Sequence, residues 1–168
     1  ALIYGESRNA LQGNVEDFRV LVTDFTVWDF FNRCPLVFRG VLCAVKHEHI
    51  GLPGKVMVVN WRSYLVDGLR VSDSFREFHF PMEGAFSQYF ALFGRGGFAP
   101  WYFTPDLRDL CVRYRRAMHC LWVTEDEVVI LWTDNDPDRL PDLVSMSMNI
   151  AYRLSETQRE PAVASASV

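Results

Sequence analysis

The sequence predicts a mixed α+β fold: an antiparallel meander sheet with a central helix at about residues 105–118 and a C-terminal helix at about 138–155 packed on it. Three observations lead there. The first half is a series of runs rich in Val, Thr and aromatics with turn residues between them, which suits strands better than helices. Thr104-Pro-Asp-Leu107 carries a capping hydroxyl, a first-turn proline and a carboxylate at the positive end of a helix. Leu140, Leu143, Val144, Ser147, Met148, Ala151 and Leu154 recur at the spacing of one helix face.

In chain order, Leu2-Ile-Tyr4 suits a short strand, and Asn9–Asn14 with Gly13 supplies hairpin turn residues. Glu16–Phe31 reads as one long strand, bent or bulged near Asp24, because its apolar residues keep to no single face. Pro35–Val45 is a strand in which Gly40 marks a bulge or a close approach of backbone. Gly51–Gly54 turns into a strand over Lys55–Trp61, and such short connections predict antiparallel neighbours. Arg62–Ser74 is turn-rich, with a short strand expected at Leu69–Val71. Phe78, Phe80, Phe86 and Tyr89–Phe93 predict further strand, ended by Gly94-Arg-Gly-Gly97. In the helix from Pro105, Leu107, Leu110, Cys111 and Tyr114 form the expected buried stripe, with Arg108, Arg113, Arg115 and Arg116 mainly outside it. His119–Val123 and Val128–Trp132 predict a hairpin, and Asp136 or Asp138 the cap of the last helix. Residues 1–156 thus read as one domain; 157–168, without core pattern, read as a flexible tail that a partner would order.

With 49% hydrophobic and 14% aromatic residues, the 168-residue chain can bury a core without staples. The net charge of −4 provides no field for phosphate backbones and argues against a nucleic-acid partner. Cys34, Cys43, Cys111 and Cys120 lack CxxC spacing and read as reduced, buried thiols of a cytoplasm-like compartment, with two disulfides as the alternative that their number allows. No run reaches the roughly 18–20 apolar residues of a membrane-crossing helix. The chain opens on Ala, which leaves an upstream anchor or signal open.

Val37-Phe-Arg-Gly40, Glu77-Phe-His-Phe80, Tyr89-Phe-Ala-Leu-Phe93, Phe103-Thr-Pro-Asp-Leu107, Val128-Val-Ile130 and the Leu140–Leu154 helix occur in that order. Over roughly residues 15–155 this series resembles an uncharacterised bacterial domain family, often the soluble part of small membrane-linked proteins. Phe103 stands where that family more often has Leu. The resemblance implies an α+β fold and association with a membrane protein, and it carries over no active-site residue.

Candidate chemistry is sparse. His47 and His49 would share one face of a strand and are the most metal-like pair, but no third ligand stands at diagnostic spacing, and a solvated loop explains them better. Asp134-Asn-Asp-Pro-Asp138 lacks the glycine and terminal glutamate of a calcium loop and reads as a helix cap. Gly94–Gly97 lacks the Lys-Ser/Thr of a phosphate loop and reads as a tight turn. Arg113, Arg115 and Arg116 can meet phosphate or lipid headgroups, or complement a helix dipole. No serine elbow or cysteine-nucleophile signature is present.

The aromatics say more. Trp28, Phe30, Phe31, Phe98, Trp101, Tyr102 and Phe103 cluster beside turn residues, where an exposed set would form a partner surface and an inward-facing set a core. The expectation is a non-enzymatic accessory or scaffold subunit without a cofactor. It would dock through Trp28, Phe30, Phe31, Phe98, Trp101 and Tyr102 onto protein subunits of a larger assembly, from the cytoplasm and peripheral to a membrane. The alternative is a small-ligand or sensory domain with a pocket between the sheet and the 105–118 helix. A metal-dependent or hydrolytic enzyme built on His47 and His49 is a third.

Overall fold

A computed structural model describes residues 3–29, 38–47, 50, 52–63, 66, 70, 72–80, 84–133 and 136–157. Among the described residues eight strands form one sheet, and every pairing between them is antiparallel. They are β1 (Ile3–Val15), β2 (Phe18–Asp29), β3 (Phe38–Lys46), β4 (Lys55–Asn60), β5 (Arg76–Phe78), β6 (Phe90–Arg95), β7 (Met118–Val123) and β8 (Glu127–Trp132). Three helices with described bounds accompany them: α1 (Gly84–Tyr89), α2 (Pro105–Arg113) and α3 (Leu140–Thr157). The α+β class and the C-terminal helix are as the sequence predicts.

The strand order is β1-β2-β3-β8-β7-β4-β6-β5, so the meander is interrupted. The β7–β8 hairpin enters between β3 and β4 and pairs with both. Short connection had suggested adjacency, but skipping two strands needs only about 14 Å at the usual inter-strand spacing. The segment between β3 and β4 has length to spare at about 3.3 Å per residue.

The first hairpin also departs from expectation. Asn9–Asn14 lies within β1, and the loop is Glu16-Asp17, flanked by the Val15–Phe18 pair. Glu16 takes the left-handed conformation there (φ 53°), a role more often filled by Gly or Asn. The expected irregularity near Asp24 exists on the partner strand: the register shifts between Arg8 and Leu11, and Asn9 is left-handed (φ 52°). Thr23 Oγ1 donates to the Arg8 carbonyl at 2.7 Å, and Asn9 Nδ2 donates to Asp24 Oδ2 at 2.8 Å. Phe18, Val20 and Val22 alternate inward, and the buried phase moves to Thr23 opposite the bulge.

Phe86 and Tyr89, expected in a strand, lie on α1, which ends where β6 begins. α2 opens as predicted, with Leu107 N–H donating to Thr104 Oγ1 at 3.4 Å, but it stops at Arg113 rather than near residue 118. The chain must extend by Met118 to pair with Trp132. Arg108 is buried, contrary to expectation: its guanidinium donates to the Phe103 carbonyl and lies 4.1 Å from the centre of the Phe80 ring. The strand expected at Leu69–Val71 falls largely outside the described residues, as does the segment 158–168.

α3 packs across β2, β3 and β8 on one face of the sheet and meets α2. On the other face Met57, Val59, Val66, Ala91, Phe93 and Cys120 form a smaller cluster under Trp61 and Phe75. At the centre of the main core Trp132 is fully buried, with Tyr114 edge-on at 6.1 Å. Its indole N–H donates to Ser147 Oγ at 3.0 Å, and that hydroxyl donates to the Leu143 carbonyl at 2.8 Å. Gly40 is the close approach expected: an added Cβ would fall on the Trp132 carbonyl and within 2.7 Å of the Phe38 ring.

Ser147→Ala strands the buried indole N–H and is expected to cost about 1–3 kcal/mol, read as a lower urea midpoint at unchanged m-value. A variant as stable as the parent would show that the indole is satisfied in another way.

Candidate functional site

The six predicted interface residues separate. Phe98 is buried, 5.6 Å from Phe78 in an edge arrangement, and serves the core rather than a surface. Phe103, from the same segment, is fully buried. Trp101 is 74% exposed at the crest of the Pro100–Tyr102 turn, with half-buried Tyr102 beside it at 6.0 Å. Phe30, Phe31 and the side chain of Trp28 lie outside the described residues. Trp101 and Tyr102 are therefore what the structure supplies of the predicted aromatic surface.

His47 ends β3. Its N–H donates to the Asp126 carbonyl at 2.9 Å, and its ring lies 4.6 Å from that of Phe18. His49 lies outside the described residues, among which no group of three or more metal-ligating side chains gathers. Asp136 caps the Pro137–Arg139 turn, its carboxylate accepting from the Asp138 N–H at 3.0 Å; Asp134 is outside the described set. Gly96-Gly97 turns against Pro53-Gly54, where Gly54 is left-handed (φ 90°) and a Cβ would crowd the Gly97 and Phe98 nitrogens.

One apolar opening was not foreseen. Between the β1–β2 hairpin and the first half of α3 runs an open groove of about 670 Å³. Leu11, Val15, Val20 and Val22 face Leu140, Val144 and Met148 across it. Leu11 is 63% and Val15 43% exposed, although β-strand residues of this kind usually turn inward. The available sequence signal was the period-two alternation of Leu11, Gly13 and Val15 with Gln12 and Asn14, masked by reading that stretch as a turn. This groove lies beside the C-terminal helix and not beside the 105–118 segment where a pocket was expected.

Ser63 Oγ and His119 Nε2 lie 3.0 Å apart, a pairing that can activate a serine when substrate can reach it. Ser63 is buried here and closes the turn after β4, its N–H donating to the Asn60 carbonyl at 2.7 Å and its own carbonyl accepting from Val66 at 3.2 Å. Burial holds the His119 imidazole below its ordinary value of 6.5, against the Phe38 ring at 4.5 Å. No spacing in the sequence announces this pair, because strand pairing alone brings β4 and β7 together. Cys43, Cys111 and Cys120 are unpaired and buried; burial pushes Cys43 up to about 11 and the other two up to about 12.

No family model matches the chain, and no curated protein matches it. Its structure is similar to the crystal structure of the mycobacterial trehalose monomycolate transport factor A, TtfA, with a TM-score of 0.57 at 10% identity. The match covers 91% of this chain and 72% of that one. At that identity the likeness establishes a shared fold.

The depressed His119 makes stability pH-dependent. The unfolded chain takes up a proton near pH 6.5 and the folded chain only at lower pH, so stability falls as pH drops from about 6.5 through the folded value. Urea midpoints measured across that window should fall in the parent and fall less in His119→Gln; equal slopes would assign the dependence to other groups. Thiol reagents at neutral pH are expected to leave Cys43, Cys111 and Cys120 unlabelled until denaturant is added, as read by peptide mass spectrometry. Rapid labelling of the native protein would contradict their burial.

Proposed function

We propose that the protein is a non-enzymatic accessory factor of a membrane-associated transport assembly, docking onto its protein subunits from the cytoplasmic side. The observation that carries this reading is the open apolar groove between the β1–β2 hairpin and α3. Exposed apolar surface of this kind costs free energy in water, and a partner that covers it recovers roughly 25 cal/mol per Å². Trp101, a large flat anchor at a turn crest, offers a second contact of the type that dominates interface energetics.

The transport factor with the similar fold supports this role by its name, as does the membrane-linked family that the motifs resemble. The unpaired thiols suit a reducing compartment. Among the described residues no helix is long and apolar enough to cross a membrane.

A second reading has one observation in its favour. The groove volume of about 670 Å³ lies within the range of small-molecule sites, roughly 300–1,000 Å³, so an apolar ligand such as an acyl chain fits it as well as a peptide segment does.

Mild-detergent affinity purification from native cells, with mass spectrometry of proteins and extracted lipids, tests both. Stoichiometric membrane-protein partners are expected. Leu11→Glu and Trp101→Ala should each weaken that recovery about tenfold or more while moving stability by less than about 0.5 kcal/mol, because both side chains are exposed. Recovery of the chain alone with a bound lipid would favour the ligand reading; recovery with neither would remove both.

A further inference from the structure

Several turns meet around a second, polar cavity of about 650 Å³. The turn after β4 brings Trp61 and Arg62, the end of α1 brings Tyr89, and the turn after α2 brings Arg115 and Arg116. Hydrogen bonds fix these turns to one another. Trp61 N–H donates to the Tyr89 carbonyl at 3.0 Å, and its indole N–H to the Ser87 carbonyl at 2.7 Å. Asn60 Nδ2 donates to the Arg115 carbonyl at 3.3 Å, and Thr133 N–H to the Ala117 carbonyl at 2.7 Å.

The rim is knit together while part of its charge is unused. Arg115 donates to the Val112 carbonyl at 2.9 Å and lies 5.0 Å from the centre of the Tyr89 ring, which holds its guanidinium in place. With the described residues Arg62 and Arg116 make no side-chain hydrogen bond or ion pair, and both are exposed. Among the described residues no Asp or Glu lines the cavity, nor the adjoining one that shares Arg116 and Thr133 with it and adds Arg113 and Arg139. In a chain of net charge −4, arginines gather here with no carboxylate among the described lining residues. Self-repulsion makes this gathering mildly unfavourable until an anion arrives.

We propose that this cavity binds a phosphate group between Arg62 and Arg116, with Arg115 as the prepositioned third donor. Guanidinium forks match phosphate oxygens bidentately, and several of them on one cavity suit a multiply charged oxyanion. The volume far exceeds a bare ion, so the phosphate belongs to a larger molecule, either a small soluble phosphoester or a phospholipid headgroup. Trp61, whose ring carries Arg70 at 4.7 Å, and Tyr89 line the same cavity and supply apolar contact for the rest of it. The site is separate from the apolar groove and does not depend on what fills that groove.

The test uses the full chain with two probes: sn-glycerol 3-phosphate by calorimetry and NMR, and phosphatidylcholine vesicles with and without phosphatidylglycerol by flotation. At least one probe is expected to bind, and Arg62→Gln/Arg116→Gln to weaken it about tenfold or more. Arg153→Gln, at the far end of α3, should change nothing. Binding of glycerol phosphate alone identifies a soluble ligand; binding of phosphatidylglycerol vesicles identifies a headgroup. In the parent protein the Trp61 indole and His119 imidazole signals should shift with glycerol phosphate, a readout that needs no variant. The proposal is overturned if neither probe binds, if the double variant binds as tightly as the parent, or if ligand binds while both signals stay fixed.

Discussion

Trp132 is held from several directions: Ser147 takes its indole N–H, Tyr114 meets it edge-on, and Gly40 lets the neighbouring strand come close to its carbonyl. That arrangement sets the position of α3 over the sheet, because Ser147 passes the hydrogen bond back to the Leu143 carbonyl of the same helix. The same strand end fixes the turn after α2, through Thr133 and the Ala117 carbonyl. Both surfaces of functional interest are built outward from here. The apolar groove uses the first half of α3 as one wall, and the arginine-lined cavity uses the turn that Thr133 pins. A buried indole with a single acceptor is a strict constraint, since leaving it unmet costs more than the bond itself contributes.

Elements written locally were legible in the sequence. The Thr104 cap, the β7–β8 hairpin and the apolar face of α3 each depend on residues within a few positions of one another, and each stands where expected. Elements decided by distant contacts were not. A tight loop without Gly or Asn, at Glu16-Asp17, gave no turn signal, while Gly13 and Asn14 gave a misleading one inside a strand. Phe86 has the composition of a strand residue but faces Phe80, Phe90 and Phe103 from a short helix, a choice made by aromatic packing rather than by propensity. Arg108 reads as a solvated charge until the Phe103 carbonyl and the Phe80 ring are known to surround it.

The candidate sites divide in the same way. Aromatic content pointed to a partner surface, yet Phe98 and Phe103 turn inward and Trp101 with Tyr102 remain at the surface. The groove depends on a strand that reads as polar, and the arginine cavity on turns brought together by the sheet order. Arg113, Arg115 and Arg116 were visible as a cluster. What the sequence could not convey is that α2 ends before two of them, so that Arg116 faces a cavity shared with Arg62 instead of a helix terminus.

The bulge in the first hairpin has a consequence for solubility. Among the described strands β1 and the three-residue β5 are outermost, and a long, regular outermost strand, such as β1 would otherwise be, is a template on which a second molecule can add its own strand and begin an aggregate. At Asn9 the backbone leaves the extended conformation, which divides the free row of peptide groups into two shorter stretches. Thr23 and Asp24 hold that kink from the neighbouring strand. The residues that looked like a flaw in the alternation of β2 thus keep the rim of the sheet from being copied by another chain.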